Sequence, residues 1–454
     1  MLKKLINNTL GSSMIRNVTK ISSGTLLGQM VSIITLPIFT RLYGATIIGY
    51  WTLFTSVSTI VNTFSDLGLS NSIMMENEGE KSERLFSVIT TLVLFISMIV
   101  GALYFVIYWL NPDDSGIHPA FYAIVLTLLI FTQQQISLCY NWLNKKKEYN
   151  ILMKNPVINN VSVAIIAIPL GLMGFTKYGY YLGLILGQIV TLLHMRRFLP
   201  KIFINLNIKD HIEVIKSHAD YIKYQMPTYM IAQIKNQTPI FFLRFFFGVE
   251  MLGYYSVCTR VLSIPLNLLA SSIGKVYYQR AAEMTMGGQP IGEFTFRNIR
   301  RAMNIAIIPM IIIMAFGDIV CVFFLGQDYI ISGNFVRIIV FMTYFQFLMT
   351  ATQGITIVLN KQYYALISGL VQIVGYLIGL AVGKYLFSSV YIALALMTIV
   401  FCVIQIIYFS ALFKVCGIRV KRYVQSVMGA LAVIVIATVI IRIVLYRFGI
   451  VPNL

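Results

Sequence analysis

The chain has 454 residues, of which 58% are hydrophobic and only 11% charged, and its formal net charge at pH 7 is +19. Soluble proteins carry roughly a quarter charged residues, so this composition excludes an ordinary soluble enzyme and favours a bilayer protein. The five cysteines are odd in number and lack metal-ligand spacing, which argues against a disulfide framework or a bound metal.

Apolar stretches long enough to cross a membrane recur along the whole chain. A spanning helix needs roughly 20 apolar residues. Thirteen candidate spans lie near 20–43, 47–67, 85–110, 117–143, 154–174, 178–198, 223–243, 252–275, 298–325, 333–359, 363–384, 390–413 and 423–446. The sequence therefore predicts an all-α polytopic membrane protein with about 12–13 transmembrane helices, the last being an addition to a core of twelve.

Lysine and arginine are distributed unequally between alternate loops. The set of loops that includes the N-terminus holds 26 of these residues and the opposite set holds five. Because positive loops stay on the cytoplasmic side, we expect a multi-pass protein of the bacterial cytoplasmic membrane with a cytoplasmic N-terminus. The positive charge is thus mostly a topology signal, and nucleic-acid binding is a poor interpretation of it.

The predicted outer loops are short, as in "NPDDSGIH" at 111–118. Asp113 and Asp114 have almost no scaffold around them there, and we interpret them as a solvated turn. A membrane glycosyltransferase or polysaccharide polymerase, the alternative from a different functional class, usually needs larger outer loops. The longest inner connection, 199–222, repeats isoleucine at helical spacing between charges, which predicts an amphipathic helix on the inner leaflet.

Two stretches of the chain are similar to each other, "PIFTRLYGATIIGYWTLFTSV" at 37–57 and "PIFFLRFFFGVEMLGYYSVCTRV" at 239–261. Aligning Gly44 with Gly248 gives an offset of 204 residues. The same offset aligns four further identical pairs: Gly49/Gly253, Tyr50/Tyr254, Thr55/Thr259 and Val57/Val261. Because an even number of spans separates the copies, the halves have parallel topology. The predicted units are an N-terminal six-helix lobe (1–198), a linker (199–222), a C-terminal six-helix lobe (223–413) and an additional helix (414–454).

Polar residues recur on single faces of the first, second, seventh and eighth spans. Steps of three and four residues place such side chains on one helix face. Hydrogen bonding between neighbouring helices is the simpler explanation for any single hydroxyl, but together the stripes predict a polar cavity. The predicted lining residues are Gln29, Ser32, Thr52, Thr59, Gln233, Asn236, Ser256, Ser263 and Asn267.

Basic residues lie within or at the ends of the same spans. Lys235 falls near the middle of its span and Arg260 about eight residues into the next. A cation at such depth is costly and normally faces a wet cavity or a partner, so these two predict a site for an anionic ligand. Arg41 and Arg244 lie at outer ends, where anchoring at the interface competes with ligand binding.

Two acidic residues are candidates for coupling transport to Na⁺ or H⁺. Asp66 closes the second span and Asp318 lies late in the ninth. Asp318 could instead pair with Arg337 across an outer turn. We expect Arg337 and Arg442 to reach the outer interface with their long side chains.

The opening of the chain, "GTLLGQMVSIITLPIFTRLYGATIIGYWTLFTSVSTIVNTFSDLGL", resembles the start of the Wzx-like oligosaccharide-lipid flippases of O-antigen and capsule synthesis. These belong to the multidrug/oligosaccharidyl-lipid/polysaccharide (MOP) exporter superfamily. The stretches "YIKYQMPTYM" and "FFLRFFFGVEMLGYYSVCTRVLSIP" resemble the seventh and eighth spans of that family. The family pattern often has an aspartate before the second stretch, where this chain has Gln237, Thr238 and Pro239.

The resemblance implies two six-helix bundles related by pseudo-twofold symmetry in a V shape, as in MATE transporters. It implies a cargo of undecaprenyl-diphosphate-linked oligosaccharide, moved from the inner to the outer leaflet by alternating access. It also implies a protein without a cofactor that contacts membrane lipids and works beside a polysaccharide polymerase and a chain-length regulator, as a monomer. A MOP-fold multidrug or organic-ion antiporter and a peptidoglycan lipid-precursor flippase remain alternatives.

Overall fold

A computed structural model describes residues 9–74, 76, 79–111, 116–196, 198–200, 204–219, 222–223 and 226–449. The side chains of residues 9–19, 22, 228, 265, 267 and 268 also lie outside the description. Helices make up nearly all of the described chain, and the described residues contain no strand. The all-α fold predicted from the apolar stretches is confirmed. Asp113 and Asp114 lie outside the described residues.

The first compact unit comprises the described residues up to Ile47 together with Leu53–Gln233. A short 3₁₀ helix, Leu69–Met74, follows its first long helix. Its helices are α1 (Thr9–Ser65), α2 (Glu80–Leu110), α3 (Pro119–Lys145), α4 (Tyr149–Leu172), α5 (Thr176–Arg196) and α6 (Ile208–Ser217). Close approach of α4 and α5 depends on small residues, since a Cβ at Gly183 would lie 2.5 Å from the Cβ of Ala167.

The second unit comprises Ile48–Thr52 and the described residues from Ile234 onward. The boundary between the two units falls inside α7. Its helices are α7 (Met226–Phe247), α8 (Val249–Pro265), α9 (Ser271–Met286), α10 (Gly292–Leu325), α11 (Ile330–Ala351), α12 (Ile355–Val358), α13 (Gln362–Tyr385), α14 (Val390–Val415) and α15 (Val420–Arg447). A π-helical turn, Leu266–Ala270, joins α8 to α9, and a 3₁₀ turn, Gln327–Tyr329, precedes α11.

The internal repeat is visible in the backbone. Gly44 interrupts α1 with φ 70° and ψ 174°, and Gly248 precedes α8 with φ 90° and ψ 173°. This region of backbone space is essentially restricted to glycine. Both copies of the repeat therefore change chain direction by the same local conformation, at the two glycines that the 204-residue offset aligns.

Ten helices of the described chain are long and apolar enough to cross a membrane. The first of them, Ser23–Ser65, contains two of the thirteen predicted spans, on either side of the Gly44 kink. The predicted spans 223–243 and 252–275 are absent from the ten. The polar stretch from Lys235 to Thr238 lowers the hydropathy of α7, and α8 has only 17 residues.

The linker helix α6 packs on the first unit. Asn207 caps it by accepting a hydrogen bond from the backbone N–H of Lys209 at 3.1 Å. Val214 is buried in the hydrophobic core of the unit beside Trp142, whereas Ile212 is about half exposed. A helix thus forms where the isoleucine spacing predicted one, with one apolar side chain packed into protein.

Candidate functional site

A cavity of about 520 Å³ lies within the second unit, and we call it the basic cavity. It is built from α7, α8, the π-helical turn, α11, α13 and α14. Its polar and aromatic lining residues are Lys235, Asn236, Gln237, Tyr255, Thr259, Ser263, Thr343, Gln346, Thr350, Gln372, Tyr376 and Phe401. The volume falls within the roughly 300–1,000 Å³ that is usual for small-molecule sites.

Lys235 is the basic residue of this lining. Its side chain is half-buried, and within the described part of the chain its ammonium group makes no hydrogen bond or ion pair. The absence of a side chain at Gly369 makes room for it, since a Cβ there would lie 3.4 Å from Cδ of Lys235. A partly desolvated cation without a counterion favours an anionic ligand.

Neutral polar groups of α13 complete one wall of the basic cavity. The Gln372 amide donates to Ser368 Oγ at 2.9 Å, and its carbonyl oxygen accepts from the Tyr376 hydroxyl at 3.4 Å. Gln372 and Tyr376 are almost fully buried, and these bonds fix the orientation of the amide. The wall therefore offers oriented donors and acceptors beside the cation.

The π-helical turn Leu266–Ala270 borders the same cavity through Leu266. Such turns insert an extra residue into a helical ladder and are frequent at functional sites. Here the turn follows Pro265, which cannot donate a backbone hydrogen bond. Because the turn inserts an extra residue, the side chains of α9 that continue the cavity-facing side of α8 are shifted around the helix axis.

A second cavity of about 380 Å³ lies within the first unit, and we call it the amide cavity. It is lined by Thr59, Asn62, Thr63, Asp66, Gly68, Ser70, Asn71, Gln133, Gln134, Ser137, Tyr229 and Gln233. No lysine or arginine is among these residues, so the two cavities differ in charge. Three residues selected from the sequence, Thr59, Asp66 and Gln233, belong to this lining.

Asp66 closes the turn that follows α1. One carboxylate oxygen accepts from the backbone N–H of Gly68 at 2.9 Å and the other from that of Ser70 at 3.1 Å. Both oxygens thus satisfy backbone donors at a helix end. Its role in ion coupling stays a prediction.

The structure brings together only some of the residues predicted to bind substrate. Lys235, Asn236 and Ser263 line the basic cavity. Thr52 and Ser256, both buried and both in the second unit, bond to each other, with Thr52 Oγ1 donating to Ser256 Oγ at 2.7 Å. Besides Thr52 and Ser256, the predicted residues that line neither cavity are Gln29, Ser32, Arg41, Arg244 and Arg260, while the side chain of Asn267 lies outside the described residues.

Asp318 pairs with Arg442. The Arg442 Nη1 lies 2.9 and 2.8 Å from the two carboxylate oxygens, and it also donates to the Ala315 carbonyl at 3.3 Å. The two side chains are only 4% and 13% exposed. The expectation that Arg442 reaches the interface is therefore wrong, because a buried guanidinium needs the carboxylate that α10 supplies. The predicted alternative partner, Arg337, makes no ion pair with Asp318 within the described chain.

Several lining residues were not selected from the sequence. Gln346 and Gln372 come from α11 and α13, and Gln133 and Gln134 from α3. The signal that could have found them is simple, since glutamine is costly in an apolar span and the run at 133–135 has three of them. Among the described residues, no group of His, Cys, Asp or Glu side chains is placed to hold a metal ion.

Comparison with known proteins agrees with this architecture. The solved structure of the lipid II flippase MurJ in an inward closed conformation matches with a TM-score of 0.70 and 14% identity, over 96% of this chain and 100% of that one. An inward-facing MATE family multidrug transporter of the MOP superfamily matches with a TM-score of 0.57 and 15% identity, over 91% of this chain and 95% of that one. A MOP superfamily transporter from Pyrococcus furiosus matches with a TM-score of 0.55 and 15% identity, over 92% of this chain and 96% of that one.

No curated protein matches the sequence. The family model described as "Polysaccharide biosynthesis protein" matches residues 38–334, well over half of the chain. At these low identities the solved structures establish the fold, while the family model establishes membership. The chain is therefore a multi-pass membrane protein with the fold of MOP superfamily transporters, and it belongs to the polysaccharide biosynthesis protein family.

Proposed function

We propose that this protein is a flippase that moves undecaprenyl-diphosphate-linked oligosaccharide repeat units from the inner to the outer leaflet of the bacterial cytoplasmic membrane. Transport proceeds by alternating access and supplies surface polysaccharide synthesis of the O-antigen or capsule type. The observation that carries the proposal is Lys235, a half-buried cation in a polar cavity, with no counterion among the residues that the structure describes. The family description, polysaccharide biosynthesis, supports the glycan part of the cargo.

The electrostatic argument rests on cost. A lysine at the centre of a membrane helix costs about 2.5–3.5 kcal/mol on insertion scales, and a chain keeps one there when it faces a partner or a cavity. A diphosphate supplies the missing negative charge, and the amides and hydroxyls around Lys235 suit the polar groups of a cargo head. A cationic drug would meet repulsion from the same ammonium group, which disfavours a multidrug antiporter.

A peptidoglycan lipid-precursor flippase is the second candidate. It is favoured by the likeness to a structure named lipid II flippase, which extends over the whole length of that protein. Both candidates require a diphosphate site, so the basic cavity suits either cargo. They differ in the sugar portion of the lipid.

We further propose that the protein performs no catalysis and uses no cofactor. Its transport is coupled to a Na⁺ or H⁺ gradient, and it acts as a monomer that passes its cargo to a polysaccharide polymerase working with a chain-length regulator. The N-terminus is cytoplasmic in this proposal, in accordance with the distribution of basic residues.

The test follows lipid-linked intermediates in the native host after deletion of the gene. Spheroplasts are treated with a membrane-impermeant glycosidase, and we expect the accumulated lipid-linked oligosaccharide to be protected from it. Single repeat units that accumulate in accessible form would instead indicate a later step, such as polymerisation. Absence of any accumulation would contradict a flippase for surface polysaccharide.

Complementation of the deletion strain then tests the basic cavity. Lys235→Ala should reach the membrane at normal abundance and reduce transport at least tenfold, because the diphosphate loses its counter-charge. The matched control is Lys154→Ala, which removes an exposed lysine from α4. Equal transport by both variants would show that the ammonium group of Lys235 does not recognise the cargo.

A further inference from the structure

The amide cavity of the first unit has a chemistry that the diphosphate site does not explain. Its lining consists of amides, hydroxyls, one carboxylate, one glycine and one phenol ring. No aliphatic side chain contributes to it, although the surrounding helices are strongly apolar. Such a concentration of polar groups is expensive in a membrane protein, where each needs a partner.

Hydrogen bonds hold the amides of this cavity in defined orientations. Ser58 Oγ donates to Gln133 Oε1 at 2.7 Å, and the Asn62 amide nitrogen lies 3.3 Å from Ser58 Oγ and 3.4 Å from Gln133 Oε1. On the other wall, Gln134 Nε2 donates to Ser70 Oγ at 3.2 Å. The groups around the cavity are therefore ordered before any ligand arrives.

One buried acceptor remains unused. The Asn62 carbonyl oxygen Oδ1 is inaccessible to solvent and accepts no hydrogen bond within the described part of the chain. A buried acceptor without a donor costs free energy, so the described hydrogen bonds leave the Asn62 amide only partly satisfied. Tyr229, about half exposed, adds an accessible aromatic ring to the same cavity.

The charges of the lining select among ligand classes. An anion is disfavoured because the described residues of the lining include no basic side chain. A metal ion is disfavoured because Asp66 is the one acidic residue and its two oxygens already accept backbone hydrogen bonds. A neutral ligand that both donates and accepts hydrogen bonds suits amides and hydroxyls, which do the same.

We propose that the amide cavity binds a neutral carbohydrate, the sugar portion of the transported lipid. Sugar hydroxyls can donate to and accept from the amides and hydroxyls of the lining, and the apolar face of a sugar ring can pack on Tyr229. This inference rests on the proposed function for the identity of the cargo. It assigns sugar recognition to the first unit and phosphate recognition to the basic cavity of the second.

The test measures sugar binding without lipid or phosphate. The probe is the neutral repeat-unit oligosaccharide released by depolymerising the host's own surface polysaccharide, titrated into the purified full-length protein in nanodiscs by calorimetry. We expect saturable binding to the wild type, weakened at least tenfold in Gln133→Leu and in Asn62→Ala. The matched control is Gln188→Leu, which removes an amide hydrogen-bonded to Thr132 and outside the lining.

Each outcome separates this inference from the proposed function. Lys235→Ala should keep its affinity for the free oligosaccharide while losing transport. No binding to the wild type, or equal binding by wild type, Gln133→Leu and Asn62→Ala after size-exclusion confirms folding, would overturn the sugar site and leave the flippase proposal standing. Binding that depends on Gln133, in a host where deletion causes no accumulation, would instead refute the flippase and keep the sugar site.

Discussion

Replacing Arg442 by leucine tests whether α15 is an integral part of the second unit. Arg442 lies five residues before the end of α15, and its Nη1 makes both hydrogen bonds to the carboxylate of Asp318 on α10. The residues are 124 positions apart in the sequence, so the pair fixes one helix against the other. Leucine fills part of the space but leaves the carboxylate buried without its hydrogen-bonded ion-pair partner.

The expected cost follows from that uncompensated charge. Removing one partner of a buried ion pair costs about 3–5 kcal/mol, whereas replacing both by apolar residues of similar size is often close to neutral. Arg442→Leu should therefore lower the free energy of unfolding by about 3–5 kcal/mol. The double variant Asp318→Leu/Arg442→Leu should recover most of that loss, because neither member of the pair is then left as an uncompensated buried charge.

Unfolding is followed by circular dichroism in mixed micelles of increasing sodium dodecyl sulfate. Arg337→Leu is the matched control, since it removes a half-buried arginine that does not pair with Asp318, and we expect it to cost less than ~1 kcal/mol. The reasoning is refuted if Arg442→Leu costs no more than this control, or if the double variant is as unstable as the single one. Transport retained by the stable double variant would exclude Asp318 from ion coupling.

The remaining predictions concern the repeat and the linker helix. Gly44→Ala and Gly248→Ala should each lower the unfolding free energy by about 1–3 kcal/mol from backbone strain alone, because no atom lies within 4 Å of the added Cβ; equal stability to the wild type in the same titration would contradict this. Val214→Asp should detach α6 by removing about 1.5–3 kcal/mol of apolar burial, and expose the linker to limited proteolysis. The control Ile212→Asp, at an exposed position of α6, should leave the linker protected.

Local patterns were sufficient to predict the helices and the repeat. Eleven of the thirteen predicted spans recur in long apolar helices of the described chain, because a helix in lipid must satisfy its own backbone hydrogen bonds. The glycine pair was predictable because two positions 204 residues apart share flanking residues, and the structure shows the same unusual backbone angles at both. Lys235 was predictable because a central lysine is costly wherever its helix packs.

Which helices pack against each other was not predictable in the same way. Asp318 pairs with Arg442 rather than with Arg337, which is nearer in the sequence, and this pairing depends on α15 lying beside α10. Helical periodicity defines a face but not its neighbour, and in a bilayer an apolar face can lie equally well against lipid or protein. For the same reason Gln346 and Gln372 could not be assigned to the cavity of Lys235 before the packing of α11 and α13 was known.

The hydropathy of α7 and α8 leads to a final step of argument. α7 and α8 correspond to the two predicted spans that are not among the ten described helices long and apolar enough to cross a membrane. Polar side chains lower the hydropathy of α7, and several of them line a cavity: Gln233 the amide cavity, Lys235 and Asn236 the basic cavity. A helix that only filled space would gain stability from apolar residues at these positions. Retaining polar ones costs insertion energy, which binding of the proposed diphosphate-linked sugar cargo would offset.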